Sequence, residues 1–386
     1  MASLYLHIPF CEHKCIYCDF YSIENMSSKD HFLSALELEI VRRAEMFSSE
    51  ETIETIFFGG GTPSLLSAQQ FEKIFSLIHK HFRIQTDAEI TCESNPGTVE
   101  LNKLNEFRSV GFNRVSFGIQ SFHDDDLKFL TRIHSAEEAE RAVESAYRAG
   151  FDNVSCDLIF ALPNQTPSRW KENLRRAIAL QPKHISAYAL IVEDQTPLAT
   201  MVKNKLVAPL PDEEDAELYE ITIDTLRSNG YEQYEVSNFA KPGFYSRHNF
   251  NYWNHANYIG LGPSAHSFWK DSSTTGKPAT SGKRWWNVRS IQSYCEMLER
   301  GEYPVVGGEE IDSKKFFNEE IFLGLRSKGI DLKKLYPLYG EDVFSMKQVI
   351  LVEMEQEGLL FRQNNIISLT SKGYAVCDEV AAKLIF

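Results

Sequence analysis

Short runs of apolar, β-favouring residues recur through the first half of the chain, and stretches with helical spacing lie between them. Leu4–Ile8, Thr55–Phe58, Glu89–Glu93, Arg114–Ile119, Asn153–Leu158 and His184–Tyr188 read as strands. Start signals mark the helices between them. Ser67 with Gln70 and Ser135 with Glu138 form capping boxes, and Thr166 followed by Pro167 supplies an N-cap and a first helical residue. Gly150, after Ala149, reads as a helix C-cap. Six βα units in a row demand a parallel sheet, since each helix is the crossover between parallel strands. An open doubly wound layer and a barrel, complete or partial, both satisfy this pattern. Both place functional residues beyond the C-terminal ends of the strands.

Polar or glycine residues collect at that edge in every unit. Cys11, Cys15 and Cys18 follow strand one, and Gly59-Gly60-Gly61-Thr62-Pro63 follows strand two. Glu93 ends strand three, Gln120 ends strand four, Asp157 lies near the end of strand five, and Tyr188 ends strand six. Six such coincidences predict one shared site. The triple glycine lets backbone amides approach a ligand closely, but no Gly-Lys-Ser/Thr follows, so it is not a phosphate loop of the Walker A kind. Glu93 and Asp157 suit an amino group or ribose hydroxyls, and Arg132 suits a carboxylate gripped by two parallel hydrogen bonds. As isolated residues these also fit ordinary surface roles.

The three cysteines have the spacing C-x3-C-x2-C. A [4Fe–4S] cluster is usually held by four thiolates, so three leave one iron open to a small molecule. A zinc site with His7 or His13 as its fourth ligand satisfies the same residues.

Bulk properties narrow the class. A chain of 386 residues holds about two or three domains. It buries enough surface to need no disulfides, and seven cysteines, three of them clustered, fit a reducing cytoplasm. No apolar stretch is long enough to span a membrane, and the N-terminus carries no export signal. A net charge of −14 without a basic tail argues against a nucleic-acid partner.

Two later segments carry candidate chemistry. Gly260-Leu261-Gly262-Pro263-Ser264-Ala265 has the spacing of a dinucleotide motif, but it follows the βα repeats and Pro263 removes an amide. Arg247–Trp253 is dense in groups that suit flat aromatic ligands. His248 could ligate a heme iron and Tyr252 and Trp253 offer π surface, or the segment is an ordered loop packed on the sheet. From about Gly307 helical runs lead to two short strands around Asn364-Asn365, a hairpin turn, and a last helix from Ser371 to Leu384. That order resembles a winged helix in a packing or lid role.

Together these elements resemble the radical S-adenosylmethionine (SAM) superfamily, in its oxygen-independent coproporphyrinogen III dehydrogenase-like branch and nearest the heme chaperones of that branch. The resemblance covers nearly the whole chain. It rests on the Cys motif, the Gly-Gly-Gly-Thr-Pro turn, Glu93, Gly118–Phe122, Thr131-Arg132, Asp157 and the segment His248–Trp253. It implies an α/β fold, a partial (β/α)6 radical SAM barrel over residues 1–205 with an α+β extension over 206–305. A C-terminal winged-helix-like module over 306–386 completes it. It implies that Cys11, Cys15 and Cys18 hold a [4Fe–4S] cluster whose open iron is chelated by SAM. Tyr5, Tyr17, Gly60, Gly61, Thr62, Glu93, Gln120, Arg132 and Asp157 would line the SAM site, and His248 is the candidate heme ligand. No residue is assigned to catalysis. The dehydrogenases carry a further Cys two positions after the third ligand, where this chain has Phe20, and an N-terminal extension before the motif, where ten residues precede Cys11. Both departures favour a cytoplasmic heme chaperone. Its partners would be heme and heme-accepting proteins, including acceptors at the membrane surface. The sequence leaves its oligomeric state open, a heme-dependent dimer included. The alternatives are the radical SAM dehydrogenase itself, oxidatively decarboxylating coproporphyrinogen III to protoporphyrinogen IX, and a radical enzyme with an unrelated substrate.

Overall fold

The computed structural model describes residues 1–47, 51–271, 278–340 and 343–385. Six parallel strands lead: β1 Ala2–Ile8, β2 Ile53–Gly60, β3 Ile84–Ser94, β4 Arg114–Gln120, β5 Asn153–Phe160 and β6 His184–Ala189. They pair in sequence order. Alternation decides what each face does. In β1, Leu4, Leu6 and Ile8 are fully buried in the large hydrophobic core, while Tyr5 and His7 point to the other face, the interior of the curved sheet. Phe58, Phe71, Phe75 and Phe112 meet edge to face at 4.8–5.4 Å between centroids and lock β2 to the helix Ala68–His81. Burying each ring contributes about 1.5–3 kcal/mol.

The helix signals appear where the sequence places them. Both capping boxes form, and Thr166 caps Pro167–Ala179. The C-cap itself is Ala149, with Gly150 one residue beyond at φ +86°.

Beyond β6 the sheet is extended at both edges by β7 Glu232–Gln233, β8 Asn238–Ala240, β9 Asn257–Leu261, β10 His266–Lys270, β11 Gly282–Asn287 and β12 Val305–Ile311. The spatial order is β12-β11-β10-β9-β1-β2-β3-β4-β5-β6-β8-β7. The sheet does not close, so the barrel is partial. β9 runs parallel to β1, and the remaining added strands are antiparallel. Because β12 completes this sheet, the expected boundary at 305/306 falls inside a strand edge, and the change of core comes within the helix Ser313–Leu325, between Phe316, packed with Phe268 and Ile311, and Phe317.

A second, smaller core then forms around Ile321, Leu325, Leu351 and Leu384. Its sheet is β13 Ile330–Asp331, β14 Leu360–Gln363 and β15 Ile366–Leu369. Asn364 and Asn365 both have positive φ, which a two-residue hairpin turn of this kind requires. The expected single helix Ser371–Leu384 is two, Ser371–Ala375 and Cys377–Leu384, because Val376 leaves helical geometry at φ −123°. Arg247–Trp253, one alternative for which was a loop, is a short helix capped by Ser246.

Candidate active site at the barrel mouth

The loop after β1 is tied to itself and to β2. Cys11 N donates to Ile23 O, Ile23 N to Pro9 O, and Cys18 N to Cys15 O. Gly61 N and Thr62 N donate back to Ile8 O and Phe10 O at 2.8 and 2.7 Å. A Cβ on Gly61 would lie 2.5 Å from Phe10 O, so only glycine allows that approach. Cys11 and Cys15 are buried and Cys18 half-buried, and all are free thiols. Thr62 Oγ1 donates to Cys11 Sγ at 3.6 Å and Arg132 Nη1 to Cys15 Sγ at 3.4 Å. Burial pushes the Cys18 thiol up to about 11, and the nearby Cys15 and Cys11 add to the rise. Three crowded thiols with donors aimed at two of the sulfurs fit a cluster, whose iron removes the mutual repulsion. Among the described residues no three His, Cys, Asp or Glu side chains converge on a point suited to a single metal ion. A cubane asks for less convergence, because each thiolate binds a different iron.

Across the mouth stand two carboxylates. Burial, and then the charge of Asp157, raise Glu93 to about 8, while the Gly60 amide bonds it and pulls it down. Asp157 is also raised by burial, against hydrogen bonds from Ser186, Ser116 and Ser155. Ser116 Oγ reaches both carboxylate oxygens, at 3.0 and 2.9 Å. Gly60 takes φ +105°, and a Cβ there would stand 2.6 Å from the His7 ring.

Arg132 reaches in from the segment after Phe129. Its Nη2 donates to Gly118 O at 2.7 Å, and its Nε is buried with no hydrogen-bond partner among the described residues. An orphaned guanidinium N–H beside a polar cavity fits the carboxylate of an amino-acid ligand such as SAM. Gln120 is left-handed at φ +68°, an unusual conformation for a residue other than glycine. The cavity has a volume of about 510 Å³, and Tyr17, Cys18, Gly60, Gly61, Thr62, Glu93, Gln120, Arg132 and Asp157 all line it.

Tyr5 and His248 are placed differently. Tyr5 lies one layer below the cavity. Its hydroxyl donates to His7 Nδ1 at 3.1 Å, and His7 Nε2 donates to Tyr21 O at 2.7 Å. His248 lies lower still, 1 % exposed, with its ring stacked on Phe57 at 4.8 Å. Its Nδ1 bonds Thr55 Oγ1 at 2.8 Å and its Nε2 bonds the Tyr252 hydroxyl at 3.0 Å. Thr55 gives its own proton to Ser3, so Nδ1 is the donor and Nε2 accepts from Tyr252. Burial holds the ring neutral, at about 3. The expectation that His248 ligates heme iron does not fit this arrangement, because both ring nitrogens are taken. Instead, Arg247–Trp253 plugs the floor of the barrel, with Glu89 accepting from the Arg247 and His248 amides at 3.1 and 3.0 Å.

Sequence reasoning missed several lining residues. Ser116 carries a readable signal, since it alternates with buried Val115 and Phe117 and therefore faces inward with Gly118. Ile191 and Glu193, in the loop after β6, carry none. Thr131, whose Oγ1 accepts from Ile16 N at 3.2 Å, braces the cysteine loop.

Residues 5–177 match the profile of the Radical SAM superfamily, and residues 311–376 match the HemN C-terminal domain. The protein described as heme chaperone HemW in Bacillus subtilis is 35% identical over 385 residues, 98% of each chain. The HemW of Lactococcus lactis is 32% identical over 99% of this chain and 97% of its own. That of Escherichia coli is 38% identical over 68% of this chain and 69% of its own. Among solved structures, coproporphyrinogen III oxidase (HemN) from Escherichia coli, a radical SAM enzyme, superposes with a TM-score of 0.82 at 24% identity. That comparison covers 100% of this chain and 90% of the other and shows a shared fold.

Proposed function

The chain belongs to the heme chaperone HemW family of the radical SAM superfamily, and from that premise we propose that it binds heme and hands it to heme-accepting proteins. The superfamily implies a [4Fe–4S] cluster and SAM. The observation that carries the reading is similarity to heme chaperones along 98% of both chains. Phe20, 67% exposed beside the mouth, supports it, standing where the resembling dehydrogenases have a further cysteine.

In this reading Cys11, Cys15 and Cys18 hold the cluster, which when bound supplies a redox-active open iron. Arg132 grips the SAM carboxylate, and Gln120 and Asp157 meet its polar groups. Glu93, held protonated near neutrality by burial, becomes a partner for a cationic amino group once that charge arrives. Because both ring nitrogens of His248 are hydrogen-bonded to Thr55 and Tyr252, this reading gives it a packing role in the floor and seeks the heme ligand at another position. Acceptors at a membrane surface and a heme-dependent dimer belong to the same proposal; among the described residues no helix is long and apolar enough to cross a membrane.

The test is a pair of assays on protein with reconstituted cluster. A Soret band and transfer of heme to an apo-hemoprotein are expected. Anaerobic conversion of coproporphyrinogen III to protoporphyrinogen IX, with SAM and reductant, would replace this reading with the dehydrogenase one.

A further inference from the structure

A second cavity, of about 820 Å³, opens where the strands after β6 meet the C-terminal module. Tyr231, Tyr234 and Tyr245 wall its barrel side, and Phe361, Leu369 and Tyr374 face them. Phe361 is 44% exposed on β14, apolar area that a flat ligand would cover. Two exposed cations flank the opening. Arg227 donates to Ser371 Oγ at 3.2 Å, and Lys328 Nζ sits 5.2 Å from the Tyr245 ring centroid and 4.2 Å from that of Phe250.

The tyrosine hydroxyls separate cleanly. Tyr231 donates to Pro182 O, Tyr374 to Ser327 O, and Tyr234 to His184 Nε2. Tyr245 instead donates to the exposed Glu232 carboxylate. Burial and Glu232 push the Tyr245 phenol up to about 12, so it keeps its proton until a metal cation displaces it. The described residues lining this groove include no His, Cys or Met, which leaves Tyr245 as the side chain suited to iron.

We infer that this groove is the heme site, with the macrocycle against Phe361 and Leu369, the propionates on Arg227 and Lys328, and Tyr245 Oη facing the iron. The inference rests on the heme-chaperone reading. As the phenolate oxygen bonds ferric iron, the proton of Tyr245 passes to Glu232, and no electron moves. The barrel cavity fits heme less well. It is smaller, it is the proposed SAM site, and Asp19 and Glu193 oppose propionates there with Arg132 as the one lining cation among the described residues. The two cavities are nonetheless joined. Tyr234, stacked on Tyr245 at 4.8 Å, donates to His184, whose Nδ1 meets Ser155 Oγ at 2.8 Å, and Ser155 donates to Asp157 at 3.2 Å.

Hemin titration of the full chain with its cluster reconstituted tests this. Charge reversal at both cations (R227E with K328E) is expected to raise the heme Kd tenfold or more, with SAM binding and the circular dichroism spectrum unchanged. K328E alone, at an exposed position, is expected to weaken heme several-fold. Y245F is expected to shift the Soret maximum and remove the phenolate-to-iron charge-transfer band. Unchanged heme affinity in the double variant overturns the groove, and an unchanged spectrum in Y245F overturns the iron ligand. Wild-type protein that takes up no heme overturns the chaperone reading itself.

Discussion

Single side chains at the mouth are held in costly states. Gly60 has φ +105° and a Cβ there would collide with the His7 ring, so Gly60→Ala is expected to cost about 1–3 kcal/mol in urea unfolding. Glu93 has an ordinary value near 4.5, raised to about 8 in the fold. Between those values the unfolded chain has released a proton that the folded chain retains, so this group lowers stability as pH rises through that window. Glu93→Gln without SAM is therefore expected to raise the melting temperature at pH 8 and leave it unchanged below pH 4.5. An equal shift at both would remove the carboxyl as the cause. His248→Ala leaves Thr55 and Tyr252 short of partners and opens a void, a loss of about 2–4 kcal/mol. Its Soret band is expected to stay in place; a folded variant that lost the band would restore the histidine as ligand. The site's lining was legible where residue type met a strand end, as at Glu93 and Gln120. The hydrogen bonds of His248 were not legible, because residue type says nothing about which nitrogens are already bonded.

At the scale of elements, the six parallel strands and their caps followed from local patterns, since an alternating face or a capping box is written in adjacent residues. The helix Arg247–Trp253 followed from no such pattern. Its N-terminal amides depend on Glu89, far away in sequence on β3. Glu89→Ala is expected to loosen that helix, with faster amide exchange over 247–253 and a loss of about 1–3 kcal/mol. Ser135→Ala, by contrast, removes a local cap and costs about 1 kcal/mol. The added strands β7–β12 were also illegible, because they take their register from an existing sheet edge.

Over the whole molecule, one large core carries the barrel and a smaller one carries the C-terminal module. The smaller core buries less apolar area and its sheet has three short strands, so it is expected to open first. Exchange mass spectrometry should show amides of 313–340 and 343–385 exchanging before those of β1–β5, and uniform protection would contradict this. The barrel's depth has its own consequence. With Arg247–Trp253 packed across the lower end, a ligand of this cavity would come and go past the rim that carries Phe20 and Ile191. In the proposed reading, a protein that settled over Phe20 and Ile191 would hold a bound nucleoside beneath it, and its departure would set the clock for exchange.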